Sequence, residues 1–172
     1  MARDLDELER RRAELRDRYV LHESERPESS ARGVHHVAVL CADVEQTILF
    51  YQGLLEFPLT DVFENRDYQG STHFFFDIGN GNALAFFDFP GLDLVPYAEV
   101  LGGLHHLALS VPPDRWAHLK GKLDAAGIEY QHVDGSSLYF RDPDGTRVEL
   151  ISDPLGEMYG HKVGEMPDHR SG

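Results

Sequence analysis

The sequence is poor in basic residues and in long apolar runs. Of its 172 residues, 16 are Lys or Arg and 30 are Asp or Glu, which gives a formal net charge of −14 at pH 7. Nucleic acids and anionic membranes attract basic surfaces, so this composition argues against both as partners. No apolar run approaches the length of a membrane span, and the N-terminus MARDLDELERRRAEL is too charged for a signal peptide. We therefore expect a cytoplasmic protein.

Cysteine is almost absent as well. Cys41 is the single cysteine, so no disulfide can form within the chain, and this usage fits a reducing compartment. Because Cys41 ends an apolar run, we expect it to be buried as a small hydrophobic residue. Hydrophobic residues make up 41% of the sequence, enough to form a core for one domain or for two small modules that share one.

The N-terminal region is predicted to be a helical arm. Residues 3–20 carry apolar side chains at heptad-like spacing. These side chains are Leu5, Leu8, Leu15 and Tyr19, with Arg12 interrupting the series. Two interpretations remain open, an arm that packs on the body or on a partner subunit and a solvated helix. A polar segment follows, and we assign residues 1–32 to the arm and its linker.

The rest of the chain contains a repeat. GVHHVAVL at Gly33–Leu40 and GLHHLALS at Gly103–Ser110 share a doubled histidine at the same place, and a predicted helix and three strand-like runs follow each. This pattern predicts an α+β fold of two βαβββ modules at 33–90 and 103–153, forming one domain over 33–153. The predicted strands are 34–41, 59–63, 73–78, 83–89, 104–111, 130–133, 137–141 and 147–151. We expect residues 154–172 to be an irregular tail.

The doubled histidines suggest a metal site. Alternation along a strand puts His36 and His106 on the face with small residues, where a cavity can form, and turns His35 and His105 to the opposite face. Two histidines at equivalent positions of duplicated modules can converge on one centre. A third ligand is available in Glu149, since a carboxylate inside the apolar strand of TRVELIS is costly unless paired or metal-bound.

The hairpin SLYFRDPDGTRVEL adds a neighbour for this carboxylate. Pro143-Asp144-Gly145 fits a three-residue loop, with Gly145 in the left-handed region. Counting outward from that loop sets Tyr139 opposite Glu149 on the same face. A four-residue loop would shift the register and separate them.

These motifs resemble those of the vicinal oxygen chelate superfamily, which includes glyoxalase I, extradiol dioxygenases, fosfomycin-modifying transferases and bleomycin-binding proteins. The matching features are His36-Val-Ala-Val-Leu-Cys-Ala-Asp43 before a helix containing Phe-Tyr, His106 in the repeat, and YFRDPDGTRVEL ending in Glu149. The resemblance implies that paired βαβββ modules curl into a half-open barrel around a divalent metal. It also implies that His36, His106 and Glu149 are its ligands.

The sequence departs from glyoxalase-like members at one position. Many members have a fourth ligand on the last strand of the first module, where Ala85 stands here. Two histidines and one carboxylate with open positions are typical of non-haem Fe(II) oxygenases, so we favour Fe(II), with Mn, Zn, Ni or Co as alternatives. Resemblance to the ring-cleaving signature further implies that Tyr139 and His132 are catalytic. His73 is a candidate for the additional catalytic histidine of those enzymes.

The sequence thus predicts a metal-dependent enzyme, most like an extradiol dioxygenase, whose substrate is a small molecule with adjacent oxygens. The alternatives are a glyoxalase-type lyase or isomerase, a fosfomycin-resistance-type transferase, and, last, a metal-free drug-binding protein. We expect a homodimer. Whether the ligands meet within one chain or across two is left open, as is the role of His161 in the tail.

Overall fold

The computed structural model describes residues 4–163, in two compact units that meet at residues 33 and 34. In the first unit, helix α1 spans Leu5–Tyr19 and begins at Asp4, whose side chain accepts a hydrogen bond from the Glu7 amide. A short 3-10 helix follows at Glu23–Glu25. No residue of α1 is buried, so its apolar series is exposed. Residue 3 of the predicted helix lies outside the described residues.

The second unit contains both predicted modules. The first consists of β1 (His36–Leu40), α2 (Val44–Ile48), a π-helical continuation (Leu49–Leu54), β2 (Leu59–Glu64), β3 (Thr72–Asp77) and β4 (Ala83–Phe87). The second consists of β5 (Leu107–Ser110), α3 (Pro113–Ala126), β6 (Tyr130–Val133), β7 (Ser137–Arg141) and β8 (Arg147–Ile151). The predicted fold of two βαβββ modules is confirmed.

Each module forms one four-stranded sheet of the same topology. The strand order is β1-β4-β3-β2 in sheet 1 and β5-β8-β7-β6 in sheet 2, and in each sheet the first pair is parallel. Neither sheet closes on itself within the described residues. The register sets Ala38 beside Ala85 in sheet 1 and Ala108 beside Glu149 in sheet 2. Ala85 therefore occupies the position that Glu149 occupies in the second module.

The sequence explains how the helices begin and end. Asp43 starts α2 because its side chain accepts a hydrogen bond from the Gln46 amide at 2.9 Å, the contact of an N-cap residue. Gly127 ends α3 with a φ of 68°, a conformation in which glycine avoids the strain of a side chain. None of the described helices is long and apolar enough to span a membrane.

The modules share a core built from one face of each sheet. Sheet 1 contributes Phe74, Phe76, Leu84 and Phe86, and sheet 2 contributes Leu109, Leu138, Phe140, Val148 and Leu150. Phe50 of the π-helical segment lies 6.2 Å from Phe140, and the hydroxyl of Tyr51 donates to Asp142 across the modules at 3.0 Å. Cys41 is buried in this core, and burial raises the pKa of its thiol to about 12. The thiol thus stays neutral, as expected for a packing residue.

The predicted register of the hairpin agrees with the structure, whereas the tail differs from its prediction. The amide of Asp142 donates to the carbonyl of Thr146, and Tyr139 pairs with Glu149, as the three-residue loop requires. The segment predicted to be irregular instead contains two short antiparallel strands, β9 (Glu157–Met158) and β10 (His161–Lys162). Residues 164–172 of that segment lie outside the described residues.

Candidate metal centre

The face of each sheet opposite the shared core carries the predicted ligands. We call it the site face. Since strand residues alternate between faces, the pairing of Tyr139 with Glu149 puts both on the site face of sheet 2. His36 lies on the site face of sheet 1, in line with Ala38 and beside Ala83 of β4.

Two of the three predicted ligands are in contact. The Nε2 atom of His106 lies 3.1 Å from an Oε atom of Glu149. Glu149 is only 4% exposed, so its carboxylate needs a partner of positive charge or a hydrogen-bond donor. His106 supplies one such contact, and the hydroxyl of Tyr139 supplies another.

Tyr139 remains a hydrogen-bond donor at all ordinary pH values. Burial, followed by the hydrogen bond to Glu149 and the negative charge of that carboxylate, raises the pKa of Tyr139 to about 12. The ring of Tyr139 lies edge-on to His106 at 5.6 Å and beneath the guanidinium of Arg147 at 4.7 Å. A protonated phenol therefore holds the carboxylate that would ligate a metal.

His36 does not join this pair within one chain. Among residues 4–163, no group of three His, Cys, Asp or Glu side chains is close enough to hold a metal ion. The packing of the modules explains this, because they meet through their core faces and the site faces lie on the opposite sides of the sheets. His36 is exposed, as are Leu40 (46%) and Phe63 (45%) of the same face.

The prediction that His35 and His105 point away from their neighbours is wrong. The Nδ1 atoms of His35 and His36 are 2.9 Å apart, and those of His105 and His106 are 2.6 Å apart. Strand pairing begins only at His36 and at Leu107, so regular alternation does not extend through either pair. The two rings of each pair can therefore form a hydrogen bond with each other.

The site face of sheet 1 carries an aromatic wall, which we define as Phe63, His73, Phe75 and Phe87. His73 stacks on Phe87 at 3.8 Å and lies 4.3 Å from Phe75, and the Phe75 ring is 6.3 Å from that of His36. Three other phenylalanines of β3 and β4, Phe74, Phe76 and Phe86, are not part of this wall, because they point into the core.

His73 differs from an ordinary surface histidine. Its Nε2 atom is buried and has no hydrogen-bond partner among the described residues. Burial, together with the nearby charge of His36, lowers the pKa of His73. A neutral imidazole with a free nitrogen on the His36 face can accept or donate a proton.

Two arginines lie on the site face of sheet 2, a feature that sequence reasoning missed. Arg141 pairs with Arg147 across β7 and β8, one step along that face from Tyr139 and Glu149. Both arginines and Tyr139 line an open cavity of about 590 Å³. Neither guanidinium forms an ion pair with a carboxylate of the described residues. Arg141 donates to the carbonyl of Gly145 at 2.6 Å and keeps further N–H groups with which it can bind an anion. The register that paired Tyr139 with Glu149 already implied this position for them.

The structure does not bring His132 to Tyr139. His132 pairs with Leu138, which lies on the core face, and the residue opposite Tyr139 is Gln131. The His132 ring packs 5.3 Å from Trp116 of α3. His161 lies on β10 in the tail and belongs to no potential metal-binding group of the described residues.

The donor set fits a divalent metal. Two imidazoles and a carboxylate suit first-row transition metals, and the contact between His106 and Glu149 already brings two donor atoms to one place. A third donor from His36 would leave positions for a substrate. Ala85, with no donor atom and 0% exposure, offers no fourth protein ligand.

Comparisons with known proteins agree with this fold. The sequence profile of the Glyoxalase/Bleomycin resistance protein/Dioxygenase superfamily matches residues 33–150. The "Putative ring-cleaving dioxygenase MhqA" of Bacillus subtilis is 27% identical over 76% of this chain, which spans only 43% of that longer protein. Metallothiol transferase FosB of Shouchella clausii is 26% identical over 79% of this chain and 90% of its own length.

Among solved structures, a mutant of the fosfomycin resistance protein FosX from Listeria monocytogenes has a similar fold. Its TM-score is 0.54 at 20% identity, with 73% of this chain and 95% of that chain covered. That crystal structure contains Mn(II) and 1S,2S-dihydroxypropylphosphonic acid.

Proposed function

Because the chain belongs to the Glyoxalase/Bleomycin resistance protein/Dioxygenase superfamily, whose members are mostly metal-dependent enzymes, we propose that it is a divalent-metal enzyme acting on a small molecule with adjacent oxygens. His36, His106 and Glu149 are the proposed ligands. The contact between His106 and the buried Glu149 carries this proposal. Once bound, such a metal polarises a chelated pair of oxygens, and Fe(II) can in addition react with O₂.

The site is proposed to form across a homodimer. One chain supplies His106 and Glu149, and its partner supplies His36. The absence of any three-residue donor group within residues 4–163 supports this arrangement. So do the exposed apolar side chains on the site face of sheet 1, since a contact with a second copy would bury them.

The first candidate activity is oxidative ring cleavage of the extradiol type. Its support is the set of two histidines and one carboxylate, together with the aromatic wall beside His36. The wall offers ring contacts for an aromatic substrate. His73 would take a proton from a substrate hydroxyl once its buried Nε2 turns toward the substrate, and the Tyr139 hydroxyl would donate to a substrate oxygen or to Glu149.

The second candidate activity is fosfomycin-resistance-type transfer or addition, with Mn(II) as the metal. The pairing of Arg141 and Arg147 beside Tyr139 favours it, because two guanidiniums that have no carboxylate partner within residues 4–163 suit a phosphonate. The likeness to FosB and the phosphonic acid bound by FosX agree with this choice. A glyoxalase-type reaction has less support, since Ala85 cannot supply a fourth ligand.

The deciding experiment is anaerobic purification, identification of the bound metal, and assay against both substrate classes. The first candidate predicts Fe(II) and O₂ uptake with a panel of catechols. The second predicts activation by Mn(II) and consumption of fosfomycin, with or without a thiol, in the absence of O₂. A tightly held Zn(II) or Ni(II) with no O₂ uptake would exclude the first candidate.

The ligand assignment has its own control. His36→Ala should release the metal, whereas His22→Ala, a change in the N-terminal unit, should not. If His36→Ala leaves metal content unchanged, the proposed metal site is wrong.

A further inference from the structure

The two doubled histidines form the same contact in both modules. In each pair the Nδ1 atoms are within hydrogen-bond distance, at 2.9 Å and 2.6 Å, and the rings are edge-to-face with interplanar angles of 79° and 76°. A contact that recurs at equivalent positions of two modules is a property of the motif. The proposed ligands of this site, His36 and His106, each have one such neighbour.

This contact dictates which ring nitrogen carries the proton. A hydrogen bond between two Nδ1 atoms requires an N–H on one ring and a lone pair on the other. When His35 or His105 accepts, its neighbour carries the proton on Nδ1 and leaves Nε2 bare. A metal ligand needs that bare nitrogen, and the partner of the other nitrogen fixes the tautomer.

In the second module, Glu99 favours the arrangement in which His106 donates and His105 accepts. The Nε2 atom of His105 lies 3.9 Å from a carboxylate oxygen of Glu99, which attracts a proton to Nε2 and leaves the Nδ1 of His105 free to accept. The backbone here is held by Tyr97, whose hydroxyl donates to the carbonyls of Leu104 and His105. The segment between the modules thus supplies both the negative charge of Glu99 and the hydrogen bonds of Tyr97 that hold the backbone at His105.

We propose that His35 and His105 are positioning residues that accept a hydrogen bond from the Nδ1 of His36 and His106 and so stabilise the tautomer whose Nε2 can bind a metal, a role that rests on the proposed metal site. The proton balance is simple in the second module. Without metal, the Nε2 proton of His106 can face Glu149, with the Nδ1 proton of His105 donated to His106. With metal, His106 releases its Nε2 proton and takes the Nδ1 proton from His105, and His105 takes up one proton on Nε2 toward Glu99, so the pair retains two protons in total.

The two histidine pairs should differ in how firmly they fix the tautomer of the proposed ligand. Among the described residues, no carboxylate lies within ion-pair distance of His35, whereas Glu99 faces His105. The tautomer of the first pair is therefore set by the hydrogen bond alone. We expect His105 to matter more than His35 for metal affinity.

The test compares full-length variants by Zn(II) competition titration and by long-range ¹H–¹⁵N NMR of the histidine rings. His105→Ala should weaken Zn(II) binding about 10- to 100-fold, as is usual for loss of a partner that orients a ligand. His105→Asn should restore most of the affinity, because its side-chain oxygen can accept from the Nδ1 of His106. His35→Ala should have a smaller effect, and His22→Ala none.

The NMR readout does not depend on activity. In the Zn(II)-loaded protein, His106 should carry its proton on Nδ1 and His105 on Nε2. In Zn(II)-loaded His105→Ala, the Nδ1 proton of His106 loses its acceptor and should exchange with water faster than in the parent. Unchanged affinity and unchanged spectra in His105→Ala, with weakened binding in Glu149→Gln, would overturn the positioning role alone. Unchanged affinity in Glu149→Gln would overturn the metal site as well.

Discussion

The two modules share a fold and a histidine pair but differ in the chemistry of their site faces. Sheet 2 carries His106, Glu149, Tyr139 and two arginines, a set able to hold a cation and an anion side by side. Sheet 1 carries one proposed ligand, His36, and an aromatic wall that includes a neutral histidine. The duplicated framework has thus been divided into a charged half and an aromatic half.

This difference shows what each half lacks. Sheet 2 has two donors in contact and no third, and sheet 1 has a third donor beside a wall with no carboxylate ligand. Ala85, at the position of Glu149, marks the point where the modules diverge. In the proposed dimer, one half of each kind, from two different chains, would make a complete set of donors.

The largest effect is expected from Glu149→Gln, which removes the charge that distinguishes the second module. Metal affinity should fall by more than about 100-fold, because loss of an outer partner alone costs 10- to 100-fold. Equilibrium dialysis with metal analysis measures this. Glu45→Gln, a change at an exposed carboxylate of α2, is the matched control and should bind metal like the parent.

His73→Asn tests the aromatic half. If the Nε2 of His73 moves a proton in turnover, the rate should drop by about 100-fold or more, with metal content unchanged. His132→Asn is the control, since that exposed ring lies beside Trp116 and off the site face. Equal losses in both variants would show that the effect is not specific to proton transfer at His73.

Arg147→Gln tests the anion-binding part of the charged half. Loss of one charge-assisted hydrogen bond should raise the KM of an anionic substrate about tenfold or more, with kcat little changed. Steady-state kinetics at two ionic strengths would check this, because the parent KM should rise with salt and the variant KM should respond less. An unchanged KM for every active anionic substrate would contradict the proposed role of Arg147 in binding the anion.

The smallest effect is expected from replacing Glu56, a carboxylate at the contact between the modules, and it should appear in the free energy of unfolding. The side chains of His118 and Lys122 hydrogen-bond Glu56 and lower the pKa of its carboxyl from 4.5 to about 2. Because the folded pKa is depressed, the stabilisation is present above about pH 4.5 and is lost as the pH falls toward 2. Glu56→Gln should therefore lower the free energy of unfolding at pH 7 modestly. Urea denaturation at pH 7 and at pH 3 should show the difference shrinking with acid.

The fold could be predicted from sequence because its signals are local. The repeat, the cap at Asp43 and the loop at Pro143–Gly145 depend on neighbouring residues, and the last fixes the pairing of Tyr139 with Glu149. The same register put Arg141 opposite Arg147. That inference was available from the sequence and was missed.

Other parts of the site depend on where regular structure starts and on how the modules pack. The prediction that His35 lies on the face opposite His36 is wrong because strand pairing begins one residue later. The phenylalanines of β3 and β4 could not be divided between core and wall without the register of that hairpin, which puts Phe75 and Phe87 on the site face. The separation of His36 from Glu149 arises from packing between modules, about which periodicity carries no information.

Complementation between two defective chains tests the central claim, that one metal site draws its ligands from two chains. His36→Ala and Glu149→Ala chains each bind no metal alone in this account. Unfolded together and refolded as a 1:1 mixture, they form mixed dimers in which one of the two sites has all three ligands, so the mixture should recover about a quarter of the parental metal content. A mixture that binds no more metal than the two variants apart would contradict the account.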